Sequence, residues 1–310
     1  MPLTLDRTKS IERPALCTYN GATFFSNAPI KIEPMFPTNP LKNTVIGTFD
    51  QSRITDMMFR VTVPMVGEWE DMDVSISNVL DKRPGQSIIG ATDLPLVIHA
   101  IDNYKLTFLN AALIGLPVIN ASVKKSVLGQ MVFMAILKKG GTPGTVAHYY
   151  AEATASYPGD GEFDGAAVLT VAASAAWGAT APWDDFTARE GFVVTPNVQV
   201  EPLTVDGATI DYKLRDASVT CQAIPFGPTP TEVLAKFPST GFGVSRAAGA
   251  DDLIISADGL WVKLNKATLM DGAQHFGQRE VLDTLTWQAN RSWTAGVPDP
   301  LLVLDTEEPA

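Results

Sequence analysis

Proline and glycine punctuate this chain along its whole length, and they restrict its fold more than any other feature. The 310 residues include 22 Pro and 24 Gly, without a collagen-like period. Proline breaks a helix interior because it lacks an N–H and its ring clashes with the preceding turn. The short runs between these breaks are apolar or alternate apolar and polar residues. The sequence therefore predicts a mainly β protein of many short strands joined by turns.

Two dipeptides predict tight hairpins. Asn20-Gly21 separates the predicted strand Ala15–Tyr19 from residues 22–25, and Asp258-Gly259 separates residues 253–256 from 260–264. Both pairs suit a turn in which two consecutive residues have positive φ. Further strands are predicted at 44–49, 57–63, 88–89, 96–101, 104–109, 111–116, 118–123, 131–137, 167–173, 191–194, 198–200, 209–214 and 280–289. Those between 96 and 137 are expected in one sheet system.

Two helices are predicted. Residues 66–80 carry apolar residues near helical spacing and acidic residues early, which suits the positive end of the helix dipole. Residues 229–237 begin with Thr229 as a cap, Pro230 in the first turn and Glu232 completing a capping box. Residues 27–43, with four prolines, are expected to be extended or looped.

Acidic residues concentrate in the middle of the chain. The net charge is −11, and residues 150–235 hold twelve acidic and three basic residues. This balance disfavours a protein that wraps nucleic acid, but suits a surface that nucleic acid passes without sticking. Three segments are predicted: 1–143, with a long 27–60 loop; 144–228, an acidic Ala-rich insertion or second domain; and 229–310, a short helix and closing strands.

No catalytic, cofactor-binding or metal-binding residue is predicted, and we expect neither an enzyme nor a cofactor. His99, His148 and His275 are far apart, and His99 is expected to be a satisfied strand residue. Cys17 and Cys221 are expected to be reduced and packed, because two distant cysteines do not make a disulfide framework. No apolar run reaches membrane-spanning length, and the N-terminus lacks the order of a signal peptide, so neither a membrane nor secretion is expected.

Three weaker patterns remain as hypotheses. Asp160 to Asp164 resembles the start of a calcium loop, but position twelve is Val171, so a solvated acidic turn is favoured. The cluster of Trp177, Trp183 and Phe186 with Asp184-Asp185 could form a sugar-binding or glycosidase cleft, although aromatic packing explains it equally well. The glycine-rich stretch from Gly241 is interpreted as a loop because its spacing does not match a dinucleotide-binding turn.

Several segments resemble tail tube proteins of siphophages, over about 14–137 and more loosely over 186–293. The segments are Pro14-Ala-Leu-Cys-Thr-Tyr-Asn-Gly-Ala-Thr-Phe-Phe25, Gly47-Thr-Phe-Asp-Gln-Ser-Arg53, Val63-Pro-Met-Val-Gly-Glu-Trp69, Gly85-Gln-Ser-Ile-Ile-Gly90, Asp93-Leu-Pro-Leu-Val-Ile-His-Ala-Ile-Asp102, Phe108-Leu-Asn-Ala-Ala-Leu-Ile and Gly129-Gln-Met-Val-Phe133. The resemblance lies in the order of strands and turns rather than in a catalytic signature.

The resemblance implies a β-sandwich flanked by one helix. It also implies a homohexameric ring whose inner strands form a β-barrel around a channel, with a 27–60 loop reaching the next stacked ring. The expected partners are other copies of the chain and the tape measure, terminator and distal tail proteins. DNA would pass unbound through the channel of a bacteriophage virion assembled in the host cytoplasm. The alternatives are a tail terminator, connector or decoration protein, or a carbohydrate-binding or hydrolytic β-sandwich on Trp177 and Trp183.

Overall fold

A computed structural model gives a mainly β protein, with 55% strand and 8% helix, and this confirms the predicted fold class. The structure describes residues 9–11, 15–26, 28–42, 49–54, 56–64, 72–100, 102–123, 127–158, 169, 171–236, 250–257, 259–275, 281–294 and 297–308. Within these ranges, no helix is both long and apolar enough to cross a membrane.

The strands are short in the first half of the chain and much longer in the second half. In chain order they are β1 Lys9–Ile11, β2 Ala15–Tyr19, β3 Ala22–Ser26, β4 Ile30–Met35, β5 Thr38–Lys42, β6 Phe49–Ile54, β7 Met58–Val63, β8 Leu96–Ala100, β9 Tyr104–Phe108, β10 Ala111–Gly115, β11 Ile119–Ala121, β12 Met131–Ala135, β13 Tyr150–Thr154, β14 Ser174–Trp177, β15 Phe186–Ala188, β16 Phe192–Val205, β17 Ala208–Ala223, β18 Pro225–Phe226, β19 Asp251–Ala257, β20 Leu260–His275, β21 Val281–Gln288, β22 Trp293–Thr294, β23 Val297–Pro298 and β24 Leu302–Asp305.

Two five-stranded sheets pack face to face as a sandwich. Sheet 1 has the order β1-β4-β7-β12-β10, and sheet 2 has the order β13-β9-β8-β2-β3. Aromatic rings join their inner faces: Tyr19 of sheet 2 meets Phe133 of sheet 1 edge to face, with ring centroids 4.8 Å apart. Phe59 and Phe108 lie 5.6 Å apart. Alternate residues of β2, β3, β7 and β8 are buried, as two opposed sheets require.

Sheet 3 contains ten strands, in the order β11-β16-β17-β21-β20-β19-β14-β15-β18, with β24 also paired to β20. The sheet curls, because β18 follows β17 in the chain yet pairs with β15 at the far end of the order. An aromatic cluster fills the space enclosed by this curl. The centroids of its contacting rings lie 5.2–6.1 Å apart. Its members are Trp177, Trp183, Phe186, Phe192 and Trp287.

In the described ranges, two α-helices accompany the sheets. α1 spans Asp73–Leu80 and packs on β24, and the Arg291 guanidinium donates to the carbonyls of Leu80 and Lys82 at its C-terminal end. Residues 66–71, which begin the helix predicted at 66–80, lie outside the described residues. α2 spans Pro230–Lys236. Its predicted capping box is confirmed, because the Thr229 amide donates to Glu232 Oε2 at 2.7 Å and the Glu232 amide donates to Thr229 Oγ1 at 3.4 Å.

Both predicted hairpins are present. Asn20 and Gly21 have φ of 51° and 82°, and Tyr19 pairs with Ala22 across the turn. Ala257 pairs with Leu260 across the second hairpin, in which Gly259 has φ of 81°. Asp258 itself lies outside the described residues.

Several strand predictions are wrong in extent or placement. Residues 27–43, predicted to be extended or looped, contain the extended strands β4 and β5, and the 27–60 segment predicted as a long loop also contains β6 and the start of β7. Extended backbone allows Pro34 and Pro40 to sit in strands. Residues 88–89 form no strand, although the Ile88 amide donates to the Tyr212 carbonyl at 2.8 Å. Residues 171–173 precede β14 instead of forming a strand, and most of the predicted strand 44–49 lies outside the described residues.

Sheet membership also differs from the prediction. The strands between 96 and 137 divide among the three larger sheets rather than forming one sheet system. The strands predicted at 191–194 and 209–214 are the beginnings of two long strands, β16 and β17. The three predicted segments share sheets: β13, after residue 143, completes sheet 2 beside β9, and β11 pairs with β16.

Candidate assembly surfaces

The aromatic residues considered for a sugar-binding platform are buried. Trp177 is 4% exposed, Trp183 3% and Phe186 2%, and the Trp177 indole N–H donates to the Ala267 carbonyl at 3.0 Å. Sugar recognition by stacking needs an exposed ring face, so the platform hypothesis for Trp177 and Trp183 is wrong. The rings instead form the core of the curled sheet 3. Asp184 and Asp185 are exposed beside them.

The histidines do not converge. His99 lies in β8, opposite Leu16 of β2 and Lys105 of β9. Its strand position agrees with the prediction, but its buried Nδ1 has no hydrogen-bond partner among the described residues, so it is not a satisfied polar group. Burial lowers the His99 pKa, and the nearby Lys105 charge lowers it further. His148 Nδ1 accepts from the Thr142 amide at 2.7 Å.

No group of three or more His, Cys, Asp or Glu side chains in the described ranges could hold a metal ion. The calcium-loop hypothesis for Asp160 to Asp164 falls outside those ranges, as does the glycine-rich stretch from Gly241 to Gly249. Cys17 and Cys221 are free and buried, as predicted, and burial raises the pKa of both thiols.

Two buried carboxylates, which the sequence analysis missed, join the β16–β17 hairpin to the rest of the molecule. Asp56 Oδ2 accepts from the Thr209 amide at 2.8 Å, and its Oδ1 accepts from the Met57 amide at 2.7 Å. Asp211 Oδ1 accepts from the Ile89 and Tyr212 amides at 3.2 and 2.7 Å, and its Oδ2 accepts from the Ser87 hydroxyl. Backbone amides and the Ser87 hydroxyl therefore occupy the oxygens of these carboxylates. The two residues connect distant segments and do not form an acid–base site. No residue-type motif marks them, because the donors come from distant segments.

The β5–β6 hairpin is the first surface suited to assembly. Its two strands form a separate two-stranded sheet that pairs with no other described strand. At its base, where β4 leads into β5 and β6 leads toward β7, Met35, Phe36 and Ile54 are 41%, 46% and 58% exposed. A two-stranded hairpin is only marginally stable alone in water, so further packing would stabilise it. This segment lies within the 27–60 region of the sequence analysis.

The outer edge of β16 is the second such surface. β11 pairs with residues 192–194 only, whereas β16 continues to Val205. No other strand in the described part of the chain pairs with residues 195–205 on that side. Unpaired strand edges present backbone N–H and C=O groups that can pair with another chain. Pro196 and Pro202 interrupt this edge, since proline has no N–H to offer.

Comparisons with known proteins return neither a matching family model nor a similar curated protein. The fold of the protein therefore defines its class. It is a mainly β protein in which a two-sheet sandwich adjoins a curled ten-stranded sheet.

Proposed function

We propose that this protein is a structural subunit of a phage tail tube, which forms homohexameric rings that stack around a channel for DNA. The observation that carries the proposal is the β5–β6 hairpin with its exposed apolar base. An exposed cluster of large apolar residues is typical of a surface that another protein covers. The segment resemblance described above suggests what that protein is, namely another copy of the chain in the next ring.

The open edge of β16 supports the same proposal. A ring forms when one surface of a subunit contacts a different surface of its neighbour and the rotation closes. An unpaired strand edge can supply one of these surfaces by extending a sheet across the subunit boundary. In the described residues, no group of three or more His, Cys, Asp or Glu could hold a metal ion, and Trp177, Trp183 and Phe186 are buried, so these features do not favour the hydrolytic or carbohydrate-binding alternative.

The test compares three proteins. The wild type, the Phe36→Ser/Ile54→Ser variant and a Val74→Ser control are purified, imaged by negative-stain electron microscopy and weighed by light scattering. Val74 is 61% exposed on α1, away in sequence from the hairpin, so the control removes exposed apolar area elsewhere. We expect tubes from the wild type and the control, and single rings or 33.2 kDa monomers from the double variant.

The proposal would be contradicted if the wild type stays at 33.2 kDa in solution and, in particles that contain it, forms neither a ring nor part of a tube. Wild-type single rings that never stack would favour the terminator or connector alternative. Tubes from the Phe36→Ser/Ile54→Ser variant would place the stacking contact away from the hairpin.

A further inference from the structure

One open sheet face of this protein is polar but almost uncharged. It belongs to sheet 3, on the side of β16, β17 and β21 that faces away from the aromatic core. We define this polar face by the residues Thr195, Asn197, Ser218, Thr220, Gln222 and Thr286.

The strand register places these side chains on one side of the sheet. Thr195 lies opposite Thr220, and Asn197 lies opposite Ser218. Gln222 lies opposite Val193 on β16 and opposite Thr286 on β21. Directly opposed residues of antiparallel strands point to the same side, and residues two apart on one strand do so as well. Val193 is the one apolar residue among these positions.

The other side of the same strands is buried. Val194, Cys221 and Trp287 oppose one another in register and are each 0% exposed. On the polar face, by contrast, Asn197 and Gln222 are exposed and the other four residues are half-buried. The alternation therefore separates an apolar inner side from a hydroxyl- and amide-bearing outer side.

The outer faces of the sandwich sheets carry basic residues. Lys31 and Arg60 are exposed on sheet 1, where the Lys31 ammonium lies 2.7 Å from Glu33 Oε1. Lys105 and His99 lie opposite each other on the outer side of sheet 2. On β17, the exposed acidic Asp216 borders the polar face, because it lies opposite Gln199 at the next position on the same side. The basic residues Lys213 and Arg215 lie beyond the irregular pairing at Gln199/Val200, outside the polar face.

Charge decides how strongly a surface retains DNA. Lys and Arg side chains bind phosphates with release of counterions, and aromatic rings hold bases by stacking. The polar face carries neither group, and its hydroxyls and amides exchange hydrogen bonds readily with water. A polyanion can therefore move along such a face without being held by it.

We propose that the polar face lines the channel of the assembled tube and is the surface along which DNA passes. This inference rests on the proposed tail tube function. It adds the location and the chemistry of the wall: neutral hydroxyl and amide groups on β16, β17 and β21, rather than the charged outer faces of the sandwich.

Site-specific labelling tests the location. Gln222→Cys subunits are labelled with a maleimide gold cluster, mixed with excess unlabelled subunits and assembled. Cys17 and Cys221 are fully buried, so unlabelled wild type is the control for background reaction. Gold on the tube axis is the expected result. Gold on the outer wall would overturn the inference while leaving the tube function intact, whereas absence of wild-type tubes would count against the tube function itself.

A charge substitution tests the chemistry. Particles carrying Gln222→Lys/Thr286→Lys are compared with particles carrying the uncharged Gln222→Asn/Thr286→Ser, and DNA release is followed by the fluorescence of a dye that binds DNA. We expect intact tubes in both, with release slowed at least several-fold in the lysine particles and restored by added salt. Equal release rates from intact tubes would overturn the inference, and if the lysine variant forms no tubes, the gold labelling decides.

Discussion

Single carboxylates hold distant segments of this protein together. Asp211 lies in β17, is 4% exposed and accepts hydrogen bonds from the Ser87 hydroxyl and two backbone amides. Asp56 performs the same role at the Thr209 amide. A buried donor that loses its acceptor retains the full cost of desolvation, so loss of either carboxylate should lower the free energy of unfolding.

Substitution of Asp211 by Ala should lower the free energy of unfolding by about 1–3 kcal/mol, because the Ile89 amide and the Ser87 hydroxyl lose an acceptor. Urea denaturation followed by circular dichroism measures the change. Asp216→Ala is the control: among the described residues its carboxylate accepts from the exposed Ala217 amide alone, and we expect a change within about 0.5 kcal/mol. Equal effects of the two substitutions would show that the hydrogen bonds of Asp211 to residues 87–89 do not stabilise the protein.

The Tyr212 phenol makes the free energy of unfolding depend on pH in the alkaline range. Burial, and then the nearby Asp56 charge, raise the pKa of Tyr212 from 10.0 to about 12. The unfolded chain ionises first, so this contribution is complete below pH 10 and is lost as the pH rises from 10 toward 12. Tyr212→Phe should therefore lose less stability over this interval than the wild type, as measured by urea denaturation at each pH. Parallel losses in the two proteins would contradict the assignment.

At the scale of elements, the tight turn between β15 and β16 packs closely against the end of β11, all within sheet 3. Gly191 precedes β16 with φ of +78°, and a Cβ there would lie 2.2 Å from the Ala121 carbonyl oxygen and 2.4 Å from Ser122 Oγ. The neighbouring Ser122 hydroxyl donates to the Glu190 carbonyl. Only glycine satisfies both the backbone conformation and the close approach of β11.

Gly191→Ala should therefore destabilise the protein more than Gly21→Ala. Gly21 has a similar φ of +82°, but a Cβ there has no atom within 4 Å, so it bears only the backbone cost of about 1–2 kcal/mol. Overpacking at Gly191 should add about 1–3 kcal/mol. Thermal melts of both variants give the comparison, and a Gly191→Ala variant as stable as Gly21→Ala would show that β11 can move aside.

At the scale of the whole molecule, the predicted segments depend on one another. β13 completes sheet 2 from beyond residue 143, and β11 has its partner β16 in the predicted middle segment. The long strands β16 and β17 also share sheet 3 with β19, β20 and β21 from the last segment. Hydrogen bonds thus cross both predicted boundaries.

A fragment containing residues 1–143 should accordingly lack a cooperative thermal transition, because it retains unpaired edges at β9 and β11. Circular dichroism and light scattering of this fragment beside the full chain provide the measurement. A sharp, reversible transition in the fragment would instead support a first domain that ends at residue 143.

The sequence alone determined the features that depend on neighbouring residues. Asn20-Gly21 specified its hairpin because both residues tolerate positive φ, and Thr229 with Glu232 specified the start of α2 because their side chains reach the first amides of that helix. Alternating apolar residues in β9 likewise revealed a strand with one buried side.

Only the tertiary structure decided the features that depend on distant residues. It divided the strands between 96 and 137 among three sheets, because strand pairing depends on backbone partners that one strand's sequence does not name. It buried Trp177 and Trp183, which from their spacing could equally have formed an exposed platform. It also assembled the polar face from strands that begin as far apart as Phe192 and Val281, because antiparallel register brings Gln222 beside Thr286 only when β21 pairs with β17.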